Sequence, residues 1–337
     1  MENKKIAREW FYSQEKLEVP ECGKCDAVKV YRLAYTGQYI FEIEIDSGLG
    51  GEPCEINQIT DVHLNYVAIS DEDDREVMGT RAVRTWNREG ESVKSIINAM
   101  NAAQYSDQTV ITGDVLDYLS NGGIMLMKRH ILERDPNVLV ALGGHDYTKQ
   151  MQTGLPDELP LEARLGEIAE IWPHDMFYCS KEVGNKVIAV CLDNSRGLFL
   201  EGQIEKLEAD IKRAREENKI LLLFAHEPIA THNYEGEIPS LWAMYGARTK
   251  MDFDSEISIG AKSSDDEATL KVYSLITENA DVIKGFFCGH RHSAFYSEIK
   301  ASYTDENGKH DAKIPQWVEP GNPYLNHVGL VTRIIVK

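Results

Sequence analysis

The sequence predicts an α/β fold, a layered sheet with helices packed outside it, and three observations carry that reading. Short apolar, β-branched runs alternate along the chain with segments of helical period, the pattern of strands and helices stacked in layers. Many of those runs stop at a glycine or deliver an Asp or His at their C-terminal edge, as in Val110-Ile-Thr-Gly113-Asp114. No repeat of fixed period and no low-complexity tract appears, which excludes solenoids and propellers.

Residues before about Ala27 are polar and broken by Pro20 and Gly23, so they read as an arm that docks on the domain or frays. From Val28 to Ile45 apolar and polar residues alternate around Thr36-Gly37, the signature of a half-buried hairpin. Gly48-Leu-Gly-Gly51 ends that pattern, and a new strand begins at Glu55 and runs to Asp61. We therefore divide the chain into an arm and hairpin, 1–53, packed on a main domain, 54–337, which carries insertions at about 64–91 and 232–264.

The first insertion is highly charged and too long for an ordinary strand-to-helix loop. It holds Arg81, Arg84 and Trp86, which either line a substrate pocket or belong to a solvated surface loop. Val93, Ile96, Ile97, Met100 and Ala103 recur at helical spacing and lead into the strand ending at Asp114, completing a β-α-β unit. The alternation continues with a helix over 124–132, a strand over 138–143, a helix around 161–171 and a strand over 186–193. A helix marked by Ile204, Leu207, Ile211 and Ala214 precedes the strand 220–225, and Leu270, Val272, Leu275 and Ile276 mark a helix before the strand 282–288. Between them, the second insertion carries Tyr234, Trp242, Tyr245 and Arg248, either a lid or a small satellite core. The chain ends in strands at 294–299, 314–318 and 328–336.

A length of 337 residues suits one large α/β domain with insertions. The net charge of -19 repels phosphate backbones and anionic lipid, so general binding to nucleic acid or to a membrane surface is not expected. No run approaches membrane-spanning length and the start lacks an apolar signal core, so the expected location is cytoplasmic. Cys22-Gly-Lys-Cys25 has no second pair to complete a four-ligand zinc site and is read as free thiols. Cys54, Cys179, Cys191 and Cys288 sit in or beside apolar runs, as small core residues do.

Ligands of layered α/β sheets bind beyond the carboxyl ends of the strands, where His63, His145, His226, His290 and His292 all fall, while His130, His174, His232, His310 and His327 read as surface or structurally paired. Mixed carboxylate and imidazole donors suit manganese, iron or zinc. The series Asp61-x-His63, Gly113-Asp114-x-x-Asp117, Gly143-Gly144-His145-Asp146, His226 after a strand, and Gly289-His290-x-His292 resembles the calcineurin-like metallophosphoesterase superfamily, in that family's order, from about Ile56 to His292.

The resemblance implies a two-sheet β-sandwich flanked by helices, in α-β-β-α layers, with two divalent or trivalent metal ions at the sheet edge. By position, Asp61, His63 and His292 would bind the first metal, Asp114 would bridge, and His226 and His290 would bind the second. His145 would be the general acid, held by Asp146. The implied activity is hydrolysis of a phosphate monoester or diester by a metal-bound hydroxide, with no covalent intermediate. The substrate is a phosphorylated molecule of unspecified identity, with Arg81, Arg84 and Tyr147 as candidate contacts. The chain departs from the family pattern at Gly144, where an Asn normally ligates the second metal. Asp117 and Asn194 are the candidate substitutes, and the departure keeps open a second reading, a non-catalytic metal-binding or interaction module on the same scaffold.

Overall fold

Strands covered on both faces have no solvent side to alternate with, so the most apolar runs of this chain become its central parallel strands. The computed structural model describes residues 8–18, 27–66, 68–74, 76, 79–80, 91–149, 160–229, 266–292, 294–321 and 329–337. In chain order the strands are β1 (Lys16–Glu18), β2 (Val28–Leu33), β3 (Tyr39–Ile45), β4 (Cys54–Ile59), β5 (Gln108–Thr112) and β6 (Leu139–Ala141). They continue with β7 (Tyr178–Val183), β8 (Val187–Leu192), β9 (Ile220–Phe224), β10 (Ile283–Cys288), β11 (Phe295–Asp305), β12 (Gly308–Val318) and β13 (Leu330–Val336).

These strands form two sheets. The first is seven-stranded in the order β1-β2-β3-β13-β4-β5-β6, and the second is six-stranded in the order β11-β12-β10-β9-β8-β7. In the first, β4, β5 and β6 run parallel, and in the second β8, β9, β10 and β12 do so. The crossovers are helical: α1 (Glu91–Ala103) between β4 and β5, α2 (Asn121–Met127) with a π-helical turn at Lys128–Leu132 before β6, α3 (Leu161–Ala169) after it, α4 (Ile204–Glu216) before β9 and α5 (Glu267–Thr277) before β10.

Phe41, Val110, Ala189, Leu222, Phe224, Phe287 and Ile334 fill the layer between the sheets. Outside it, Ile96, Ala99 and Met100 of α1 pack on Ile59, Ile111 and Val140, while Leu207, Ile211, Val272 and Ile276 of α4 and α5 pack on Ile188, Leu221 and Leu223. The layering is the α-β-β-α sandwich that the resemblance implies. Buried polar groups also tie the sheets together. The Trp317 indole N–H donates to Thr332 Oγ1 at 2.8 Å, and Gln58 Nε2 donates to Thr112 Oγ1 and Cys288 O. Each such tie spares a buried group the cost of lying unpaired.

Elements foreseen in the sequence fall within a few residues of their expected places, including the β2–β3 hairpin, whose turn holds Gly37 at φ 73°. The edge strand β7 was not expected, because half of its Tyr-Cys-Ser-Lys-Glu-Val run is polar. Strands β11 and β12 extend further than their apolar runs, pairing along their full length as one long hairpin. Residues 8–18 of the arm dock: Phe11 and Tyr12 are buried, and Phe11 stacks on Tyr105 at 4.7 Å between centroids. Beneath Tyr12, Arg333 of β13 grips Glu55 with two bonds of 2.8 Å and Glu42 with one of 2.9 Å, its guanidinium 4.0 Å from the Tyr12 ring centroid.

Arg81, Arg84, Trp86, the insertion 232–264 with its aromatic residues, and Cys22 and Cys25 lie outside the described residues. Among the described residues, no helix is long and apolar enough to cross a membrane.

Candidate metal centre

Parallel strands from both sheets end at one edge of the sandwich, and the residues just past β4, β5, β6, β9 and β10 meet there. Side-chain donor atoms of Asp61, His63 and His292 form one group that could hold a metal ion, and those of Asp114, His226 and His290 form a second, the atoms of each group lying within 4.8 Å of one another. A third such group joins His63, Asp117 and His145.

Asp114 stands between the first two groups. Its Oδ2 is 3.2 Å from His226 Nε2 and 3.8 Å from His63 Nε2, while its Oδ1 accepts the His145 backbone N–H at 2.9 Å. Asp61 Oδ2 accepts from Thr60 Oγ1 and from the His290 amide, both at 2.8 Å. Its Oδ1 is buried and 3.0 Å from His292 Nε2, at an angle that makes no hydrogen bond. Imidazole nitrogens also face one another, His63 Nε2 to His292 Nε2 at 2.9 Å and His290 Nδ1 to His226 Nε2 at 3.2 Å. Closely facing imidazole nitrogens and a buried carboxylate oxygen suit cations, and the imidazole and carboxylate donor set suits manganese, iron or zinc.

The ring orientations are fixed from behind. His226 Nδ1 lies 2.8 Å from Thr112 O, and a carbonyl only accepts, so the proton is on Nδ1 and Nε2 points into the group. Asp117 Oδ1 holds His63 Nδ1 at 3.1 Å to the same effect, while its Oδ2 accepts from Asn65 Nδ2 at 2.7 Å. His145 Nδ1 is 2.9 Å from Asp117 O, which leaves its Nε2 on the side of Asp114 Oδ2, 3.9 Å away.

The backbone here is strained. Among the described non-glycine residues, positive φ occurs at Asp61 (47°), His63 (46°), Asp114 (49°), His290 (70°), His292 (50°) and Asn218, so every one but Asn218 is an expected ligand. Such conformations cost on the order of 1–3 kcal/mol each and persist where the surroundings hold them, often at functional sites.

The electrostatics agree. Burial disfavours charge on His226 and His63, yet Asp114 raises the former to about 10, and Asp117 and Asp61 raise the latter to about 9. His290 goes the other way, driven well down by burial and then by His226. The carboxylates thus make a pocket that draws positive charge; metal uptake would displace protons from the imidazoles.

Glycines before the ligands leave room for them. A Cβ on Gly143 would lie 2.1 Å from Asp114 N, and one on Gly289 would lie 1.9 Å from Thr60 Oγ1, so neither tolerates a side chain. Gly144 differs: it is right-handed helical, φ -65° and ψ -33°, and an added Cβ would meet only Ser195 O at 3.5 Å. Of the two candidate substitutes for the missing Asn, Asn194 uses its side chain elsewhere, accepting from the His226 and Glu227 amides and donating to Glu227 O. Asp117 serves as the brace of His63.

One expectation is corrected. Asp146 does not hold the His145 ring; its oxygens accept the amides of Leu116 and Gly143, each at 2.8 Å. His145–Tyr147 is a 3-10 turn, in which consecutive side chains point about a third of a turn apart, so neighbours in sequence diverge. Burial, and then the Asp114 charge, push Asp146 up to about 7. Tyr147, the candidate substrate contact, is buried with its hydroxyl donating to Ser195 O at 3.2 Å. The Asp117 and Thr112 braces were missed as such; the Asp114-x-x-Asp117 spacing was the available signal for the first, and nothing marked the second.

No family model and no curated protein matches the chain. Among solved structures it is similar to a purple acid phosphatase from yellow lupin (Lupinus luteus) seeds, at 13% identity and a TM-score of 0.46, covering 87% of this chain and 49% of that one. It is also similar to a dimetal phosphatase from Danio rerio, at 13% identity and a TM-score of 0.41, covering 80% of this chain and 87% of that one. The chain thus spans about half the length of the lupin protein.

Proposed function

We propose that the chain hydrolyses a phosphate ester, monoester or diester, at a site that holds two metal ions. The observation that carries this reading is the place of Asp114 Oδ2, 3.2 Å from His226 Nε2 and 3.8 Å from His63 Nε2, between two groups of ligand-type side chains. Asp61, His63 and His292 would hold one ion, His226 and His290 the other, and Asp114 both. When bound, such ions polarise a phosphoryl oxygen and lower the pKa of water toward neutrality. Manganese, iron and zinc are the ions this donor set suits.

The chain's own residues supply the rest. Thr112 O and Asp117 Oδ1 hold His226 and His63 from behind, so that Nε2 of each ring would be the atom offered to an ion. Asp117 O fixes the His145 ring through Nδ1, so its Nε2 is the atom from which a proton reaches the leaving oxygen of the ester. Asp146 acts at one remove, pinning the Leu116 and Gly143 amides and so the loops that carry Asp114 and His145. Gly144 favours a second reading, a metal-binding module without turnover, because no side chain there completes the second group.

The deciding experiment strips the protein of metal, adds manganese, iron, zinc or magnesium singly, and screens aryl phosphate mono- and diesters. Turnover that depends on added metal supports hydrolysis. Tight metal binding with no turnover of either ester class supports the module.

A further inference from the structure

Away from the metal centre, β7 and β8 place Cys179 directly opposite Cys191 in an antiparallel pair. Opposed residues in such a pair have Cα atoms about 4.5–5.5 Å apart, inside the window of about 4.4–6.8 Å that a disulfide spans. Both side chains lie on the face turned to the layer between the sheets, Cys191 buried within it and Cys179 half-buried at its rim on the edge strand. Both are free thiols.

The two sulfurs have unequal surroundings. His174 Nε2 lies 3.5 Å from Cys179 Sγ. That nitrogen accepts the Val140 N–H at 2.9 Å, and Nδ1 faces Asp175 O at 2.9 Å, so Nδ1 carries the proton and the single Nε2 lone pair is shared between the Val140 N–H and the more distant thiol. Cys191 across the ladder lowers the Cys179 pKa against burial, while burial raises that of Cys191 well above the ordinary thiol value. The other described cysteines, Cys54 and Cys288, are buried and raised as well, and Cys54 pairs across the sheet with Val336. A half-buried sulfur on an edge strand near an imidazole, with a buried sulfur across the ladder, is the arrangement of an attacking and a resolving thiol.

We propose that Cys179 and Cys191 form a thiol–disulfide exchange site whose co-substrate is a low-molecular-weight disulfide of the glutathione class. The Cys179 thiolate attacks one sulfur of RSSR, forming a mixed disulfide and releasing RS⁻, which takes the proton that left Cys179. Cys191 then attacks Cys179 Sγ, expelling the second RS⁻, which takes the Cys191 proton. In sum, two protein thiols and RSSR give one protein disulfide and two RSH, with the protein sulfurs oxidised and the small disulfide reduced.

The test incubates the full chain with oxidised glutathione, blocks free thiols in acid and maps tryptic peptides. Cleavage after Arg164, Lys181, Lys186 and Arg196 separates residues 165–181, with Cys179, from 187–196, with Cys191, so their bond is distinguishable from one between Cys22 and Cys25. The expected product is the linked pair of peptides, with a loss of two hydrogens. Cys191→Ser should instead trap glutathione on Cys179, and Cys179→Ser should leave Cys191 unmodified. In untreated protein, Cys179 should alkylate at neutral pH about tenfold faster than Cys54 or Cys288, and His174→Gln should remove most of that advantage. Absence of the linked peptides, or glutathione captured by Cys191 in Cys179→Ser as readily as by Cys179 in Cys191→Ser, would overturn the proposal.

Discussion

Gly143 and Gly144 are neighbours in sequence but opposite in what they tolerate, and substituting each in turn tests the geometry of the site. An added Cβ at Gly144 enters a right-handed helical conformation and meets only Ser195 O at 3.5 Å, an ordinary contact. Gly144→Ala should therefore stabilise the fold by about 0.4–1 kcal/mol, through the entropy removed from the unfolded chain. At Gly143 the same atom would lie 2.1 Å from Asp114 N and 2.3 Å from Asp114 Oδ1, with backbone on one side and the Asp114 carboxylate on the other. Gly143→Ala should cost about 3 kcal/mol, the upper end of ordinary overpacking, because Asp114 must move. Thermal unfolding separates the two, the first variant melting at or slightly above wild type and the second several degrees below. Gly144→Asn extends the comparison to function. If its side-chain oxygen reaches the second ion and is worth a charge-assisted hydrogen bond, about 1.5–3 kcal/mol, the manganese concentration for half-maximal activity falls about tenfold to a hundredfold. Calorimetric titration of metal-free protein gives an independent reading. A destabilised Gly144→Ala would refute the local geometry, and a stable Gly144→Asn with weaker manganese binding would show the space to be taken by something else.

Asp114→Asn should abolish turnover and lower the metal content of the purified protein in elemental analysis, since one anionic ligand lies between both groups; full metal and activity would exclude a shared site. His145→Ala should cut turnover by roughly two to four powers of ten at unchanged metal content, with a smaller loss for esters whose leaving groups need no proton. An equal loss for every leaving group would assign the ring to phosphate binding or to structure. Arg333→Ala leaves Glu42 with only the Tyr31 hydroxyl and Lys29, and Glu55 with only Arg8, and should cost about 3 kcal/mol in denaturant unfolding, whereas a loss below about 1 kcal/mol would mean that those partners and water replace the guanidinium.

What could be read from the sequence follows from physical range. Of the strands that end at Asp61, Asp114, His226 and His290, β9 and β10 are mostly apolar and β4 and β5 carry Ile and Val among buried polar residues, so their runs and the Asp or His that follows each are visible locally. The split into two sheets is not local: β13 inserts between β3 and β4 from the far end of the chain, and only the motif resemblance pointed to a sandwich. Edge strand β7 escaped because an edge needs no apolar run. The Asp146 error has the same root, for adjacency along the chain says nothing of direction, and the 3-10 turn rotates its carboxylate away from the His145 ring and onto the Leu116 and Gly143 amides.

The positive φ values lay further still from view. Sequence patterns assign left-handed positions to glycine or asparagine, yet here the chain keeps Asp and His in them. Gly113 and Gly289 stand one residue before Asp114 and His290, and a Cβ on either would strike a member of the site. The glycines thus permit a close approach, while the strained residues after them turn their side chains inward. Removing that strain by Asp114→Gly or His290→Gly would relax the backbone but delete the donor, so these positions cannot serve stability and ligation at once.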